Sequence, residues 1–249
     1  IRVIGHYMGG GFGSKLEAGK YSAMAALLAK KTGRPVRLFL SREQVCMTMG
    51  NRPANTITLK AGVKKDGTLV ALQSSVTGSG GAYIENGTGS VDFVIRELYK
   101  CPNVQCENAS VFTNAGPQRA FRAPGHPQGA WALEIMMDAL AVRIGMDPVE
   151  LRLKNISLVS QIREGNPPYT STGLADCLQN GAQAFGWAGA RTKAPLPSHI
   201  KRGVGVAAGM WQGGGGSPPA TVIVKLFADG SANLNMGASD IGCGTKTWG

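Results

Sequence analysis

Long apolar runs, paired cysteines, aromatic clusters and acidic excess are all missing from this chain of 249 residues. No stretch approaches the ~18 apolar residues of a membrane span, and Ile1-Arg2-Val3-Ile4 reads as a strand rather than a signal peptide. Five cysteines, at 46, 101, 106, 177 and 243, are odd in number and form no C-x-x-C. Neither a zinc site nor a 2Fe-2S cluster is encoded, and free thiols in a reducing, cytoplasmic setting are the expectation. Aromatic residues make up only 6% of the chain, and the basic residues are scattered apart from the doublets Lys30-Lys31, Lys64-Lys65 and Lys201-Arg202. A formal net charge of +11 would suit a polyanion, yet little is offered for base stacking, so nucleic acid is disfavoured as a partner. Glycine reaches 36 residues without a G-X-Y period, which excludes collagen and places the excess in turns or backbone-lined sites. The chain has no initiator Met and stops abruptly at Thr247-Trp248-Gly249, so a piece of a longer polypeptide is expected.

What is present is 43% hydrophobic residues, enough for one large or two small globular domains. A first strand at Arg2-Ile4 leads to a glycine loop, then to an amphipathic helix from Lys15 to Thr32 with Leu16, Ala23 and Leu27 on its face, ended by Gly33 and Pro35. Val36-Leu40 reads as a short strand, and Ser41 with Gln44 as a capping box. Thr56-Val63 and Thr68-Val76 flank Lys65-Asp66-Gly67, a hairpin turn that demands positive φ; Thr221-Phe227 and Ala232-Met236 repeat the device around Asp229-Gly230. Val104-Phe112 reads as a strand, and Pro127 opens a helix from Gln128 to Ile144 whose Trp131, Ile135, Leu140 and Ile144 favour one face. Asp147-Pro148 starts a short helix through Lys154, and Leu174-Phe185 is another. The proline-bearing stretches 159–171 and 188–198 read as linker. The expected fold is α+β, with two mixed subdomains that each own a hairpin and packed helices. Residues 1–158 form the first, 159–200 a linker with one helix, and 201–249 the start of the second.

Three loops carry the chemistry. Gly9-Gly10-Gly11-Phe12-Gly13-Ser14 lies between strand and helix, an arrangement whose free amides favour an anion. A dinucleotide fingerprint fails at Ser14 or Leu16, and a P-loop fails because Lys15 follows Ser14 and precedes Leu16. Ala120-Phe121-Arg122-Ala123-Pro124-Gly125-His126-Pro127-Gln128 is a second loop entering a helix. Gly237-Ala238-Ser239-Asp240-Ile241-Gly242-Cys243-Gly244-Thr245 is a third. Three amide-rich loops suit a large anionic cofactor. A basic nucleic-acid-binding module, or a structural or assembly module, is the alternative.

These residues resemble the molybdenum-binding large subunit of the xanthine dehydrogenase and aldehyde oxidase group. Gly9 to Lys15 is similar to its Gly-Gly-Gly-Phe-Gly-[Gly/Ser]-Lys loop, Ala120 to Gln128 to its Ala-[Phe/Met/Tyr]-Arg loop, and Asp240 to Thr245 to its Asp-Ile-Gly-Gln/Thr-Gly-Thr segment. Tyr99 to Asn103 and Asp147 to Arg152 also match family-like stretches. The resemblance implies a molybdenum-molybdopterin cofactor, expected in its cytosine dinucleotide form, that hydroxylates an aldehyde or aromatic heterocycle with water-derived oxygen and passes electrons to 2Fe-2S clusters and FAD. It implies that Gly11, Phe12 and Gly13, with Ala120, Phe121 and Arg122, bind this cofactor. Phe12 and Gly13 would sit beside the metal with their backbone amides near its ligands, and Arg122 would offer its amide from the opposite side. Gly242, Cys243, Gly244 and Thr245 would meet the pterin or its phosphate.

The departures from the family pattern are informative. The glutamate that purine-oxidising members place after the loop lysine is Leu16 here, and an aromatic near the arginine loop is Pro124. With these two substrate-lining positions apolar, xanthine is disfavoured. Ala123 stands where carbon monoxide oxidisers carry cysteine, and Cys243 where many relatives have glutamine. The family's general base is a glutamate in a Gly-Glu pair, and this chain contains no Gly-Glu, so no catalytic residue is assigned and the chain is expected to be inactive alone. Iron-sulfur and flavin subunits or domains, and the remainder of the large subunit, are the implied partners.

Overall fold

The computed structural model describes residues 4, 8–83, 86–88, 90–190, 199–211, 221–237 and 240–248. The elements are α1 (Gly19–Thr32), α2 (Arg42–Thr48), β1 (Asn55–Val63), β2 (Leu69–Gly81), α3 (Val91–Glu97), β3 (Val104–Phe112), α4 (His126–Ile144), α5 (Pro148–Asn155), α6 (Leu174–Phe185), α7 (Trp187–Ala190), β4 (Val222–Leu226), β5 (Ala232–Met236) and α8 (Thr245–Trp248). They divide into two compact units threaded through one another along the chain. One comprises Pro53–Gln118 and Ala123–Trp211, the other Ile1–Arg52, Arg119–Arg122 and Gln212–Gly249. A single division near residue 200 does not describe this threading. The expected strand at Arg2-Ile4 lies, apart from Ile4, outside the described residues.

In the larger unit β1 and β2 pair antiparallel around the expected Asp-Gly turn. Gly67 takes φ +86 there, and Asp66 accepts hydrogen bonds from the Thr68 amide and hydroxyl. β3 pairs parallel with β2; parallel neighbours require a crossover, and α3 lies on it. One sheet face and the helices share the core: Leu72 and Val76 of β2, Val91, Val94 and Ile95 of α3, and Leu133, Met137, Leu140 and Ala141 of α4 are buried. The opposite face is polar, with Lys60, Gln73 and Gln105 side by side across the three strands, the division an antiparallel pair with one wet face shows. α4 approaches α3 closely at Gly129, where a Cβ would stand 2.1 Å from the Val91 carbonyl oxygen. Of the expected face, Leu140 is buried and Ile144 packs against the core. Trp131 and Ile135 are 69% and 51% exposed, because α4 is apolar around most of its circumference and periodicity alone does not choose the side.

Two buried carboxylates tie the unit together. Glu134 accepts from the Tyr99 hydroxyl at 2.7 Å, from Arg152 Nε at 2.7 Å and from the Ala208 amide at 2.7 Å, and Arg152 is completely buried. Glu97 accepts from Ser160 Oγ, the amides of Gln161 and Ile162, and the Tyr169 hydroxyl. Burial alone would push the Glu97 carboxyl up, but these bonds together hold it below its ordinary value. The stretch 159–171, expected as linker, is thus anchored near both ends.

The smaller unit holds α1, α2 and the β4–β5 hairpin. Its turn repeats the first, with Ser231 donating from its amide and hydroxyl to Asp229. The expected capping box of α2 is formed: the Ser41 amide donates to Gln44 Oε1 and the Gln44 amide to Ser41 Oγ. α1 begins at Gly19 rather than Lys15, since residues 11–16 fold into tight turns in which the Ser14 and Leu16 amides donate to the Gly11 and Gly13 carbonyls. Gly33 ends it as expected, its amide donating to Ala29. No strand forms at Val36-Leu40, because an apolar run without a pairing neighbour gains no ladder.

Candidate functional site

The smaller unit gathers the first and third loops and the Arg119–Arg122 stretch that opens the second. Phe12 is their junction. Its amide and that of Gly11 donate to the Ile241 carbonyl at 3.2 and 2.8 Å, and its own carbonyl accepts from the Arg122 amide at 2.6 Å. These two directions are reached at φ +51, a left-handed conformation uncommon for an aromatic residue. The first loop is therefore bonded to the third through Phe12 N–H and to the second through Phe12 C=O. The ring of Phe12 meets Phe121 edge-on, with centroids 6.4 Å apart.

Gly13 completes the interlock. At φ +107 its missing side chain leaves room for the Ala120 carbonyl oxygen, which a Cβ would approach to 2.9 Å. Gly242 similarly lies against the Phe12 ring, which its Cβ would meet at 2.7 Å. These glycines admit one loop to another. The amides of Phe12 and Arg122 are used in the bonds between loops, and Arg122 also carries an exposed guanidinium.

In the third loop Asp240 Oδ1 accepts from the Gly242 amide at 2.8 Å and the Gly244 amide at 3.2 Å. Cys243 Sγ lies 3.0 Å from Thr245 Oγ1, and this bond, followed by one from the backbone at Ile241, draws the exposed Cys243 thiol below its ordinary pKa. Lys15 folds back, donating from Nζ to the Gly10 carbonyl at 2.7 Å. Leu16 is exposed in this unit, whereas Pro124 belongs to the larger one, where Gly125 leads into α4.

Sequence reasoning missed Arg52, which donates from Nη2 to the Arg122 carbonyl at 2.8 Å and lies 5.1 Å from the Phe121 ring centroid. The only local signal was a basic residue between Asn51 and Pro53. Asp240 was read as part of a motif but not as the residue that shapes its loop.

The donor set fits an anionic, oxygen-rich group. Two amides of the third loop already converge on one carboxylate oxygen, and the amides of Gly13 and Cys243 have no hydrogen-bond partner among the described residues. Nor do the described residues gather three His, Cys, Asp or Glu side chains into a metal-ligand cluster, so a metal at these loops fits only as part of a prosthetic group that brings its own ligands. No helix among the described residues is long and apolar enough to cross a membrane.

Comparison with known proteins agrees with this chemistry. Two models described as molybdopterin cofactor-binding domain match residues 1–156 and 180–248. The chain is 34% identical to the xanthine dehydrogenase molybdenum-binding subunit of Escherichia coli O157:H7 over 99% of its own length and 34% of that protein. It is 32% identical to the aldehyde oxidoreductase of Megalodesulfovibrio gigas, over 97% of its length and 28% of that protein. Among solved structures, the aldehyde oxidoreductase from Desulfovibrio gigas superimposes with a TM-score of 0.74 at 33% identity, covering 91% of this chain and 25% of that one. The chain spans about a third of the length of these curated relatives. With its loops, its fold and both domain models in accord, the chain belongs to the molybdopterin cofactor-binding domains of the xanthine dehydrogenase and aldehyde oxidoreductase family.

Proposed function

We propose that the three-loop cluster is the part of a molybdenum hydroxylase that cradles molybdopterin, and that the protein containing it oxidises an aldehyde or an uncharged aromatic heterocycle. The observation that supports this is the gathering of residues 9–16, 119–122 and 240–245, far apart in sequence, into one bonded cluster. When bound, the cofactor supplies two-electron oxidation with oxygen derived from water. The chain's own residues supply position and charge: the Gly13 and Cys243 amides, Thr245 and the Arg122 guanidinium are the donors to anionic oxygens, while Phe12 holds the loops in register. Gly11, Ala120, Phe121, Gly242 and Gly244 form the frame that shapes those donors.

Leu16, with an apolar side chain where purine-oxidising members carry glutamate, favours a substrate without a demand for hydrogen bonds, and Pro124 adds no donor of its own. The general base is assigned to a Gly-Glu segment that this chain does not contain. The cytosine dinucleotide form of the pterin, electron transfer to 2Fe-2S and flavin partners and a cytoplasmic location belong to the same proposal, the last supported by five free cysteines. The test is acceptor reduction by the intact, molybdenum-loaded protein. Turnover of aromatic aldehydes with kcat/KM well above that for xanthine is expected; preference for xanthine would overturn the substrate reading.

A further inference from the structure

We propose that Arg52 is the positioning residue of the arginine loop, a clamp that gives Phe121 and Arg122 their shape before any cofactor arrives. Between residues 53 and 211, only Arg119–Arg122 leave the larger unit for the smaller one. A tetrapeptide isolated in this way has no element of its own to stiffen it, so its conformation is set by what it is attached to. Its N-terminal end is tied by the Arg119 amide to the Asn51 carbonyl at 2.9 Å, and its C-terminal end by the Arg122 carbonyl to Arg52 Nη2 at 2.8 Å. Between these points the Arg52 guanidinium stands 5.1 Å from the Phe121 ring centroid. Adjacent residues Asn51 and Arg52 thus hold both ends and the middle.

The chemistry requires arginine. A planar guanidinium donates in its plane while its face covers a ring; a lysine ammonium can make the hydrogen bond or approach the ring, but presents no flat face for both. The clamp also acts on the first loop, because the Arg122 amide donates to Phe12. Without Arg52, the bond to Phe12 C=O is the one hydrogen bond left to the Arg122 backbone among the described residues. The consequence for cofactor binding rests on the proposed cradle; the clamp itself does not.

Hydrogen exchange at the Arg122 amide in the intact protein, together with molybdenum per folded molecule, tests both. In Arg52→Met, exchange at Arg122 is expected to accelerate about tenfold, the size of one charge-assisted hydrogen bond, with β1 and β2 amides unchanged. Arg52→Lys should recover little of that protection. Phe121→Leu, which removes the ring and keeps the carbonyl bond, should give a smaller acceleration confined to the same amide. Unchanged exchange in Arg52→Met, equal acceleration in β1 and β2, or full recovery by lysine would each overturn the clamp. Molybdenum content is expected to fall several-fold in Arg52→Met. Faster exchange at Arg122 with full molybdenum would uphold the clamp and overturn the assignment of the loop to the cofactor.

Discussion

At φ +51 Phe12 points its N–H at Ile241 and its carbonyl at Arg122, and Gly13 beside it takes the Ala120 carbonyl where a side chain would be. A Cβ at Gly13 must displace Ala120 and occupy a φ that L residues avoid, at a cost of about 2–3 kcal/mol. Gly13→Ala is therefore predicted to lower thermal stability and, by shifting Ala120 to Arg122, molybdenum per folded molecule as well. Gly33→Ala is the control: it meets no atom within 4 Å and carries only the strain of φ +65, so stability should fall by about 1 kcal/mol with molybdenum per folded molecule unchanged. Equal molybdenum loss in both variants would mean that the fold, not the loop, is what Gly13 serves. The motif itself could be read from sequence, but the role of its amides could not: Gly-Gly-Gly-Phe-Gly shows that backbone is exposed to something, not whether that something is another loop.

Among the elements, the two Asp-Gly hairpins, the capping box at Ser41 and the bounds of α6 were legible because each is written in contiguous residues. α3 was not, although Val91, Val94, Ile95 and Leu98 have helical spacing, since the glycines and serine before them look like loop. The buried face of α4 was legible only at Leu140 and Ile144, its first turns being placed by Gly129 against Val91. Gly129→Ala should cost about 3 kcal/mol through that overlap, whereas Gly181→Ala in α6, with open space around it, should stabilise by up to about 1 kcal/mol; denaturant unfolding of both distinguishes packing from propensity. Glu97 shows the same distance dependence. Its four donors hold its folded pKa below the unfolded value of about 4.3, so its stabilisation is complete above that pH and lost as pH falls through the folded value. Glu97→Gln should be destabilised by about 2 kcal/mol at pH 7, and the gap from wild type should narrow below about pH 4.3. A gap independent of pH would show that the charge of Glu97 contributes nothing.

Across the whole molecule, the order of the three loops along the chain was visible, while their meeting in a unit assembled from 1–52, 119–122 and 212–249 was not, because no local pattern encodes a tetrapeptide crossing between units. That meeting is the centre of the functional account. Its most direct test is hydrogen exchange on the intact protein with and without molybdopterin. The account predicts that loading slows exchange at Gly13 and Cys243, whose amides have no partner among the described residues, while β1 and β2 remain unchanged. Protection that appears elsewhere and leaves residues 9–16, 120–122 and 240–245 untouched would contradict it.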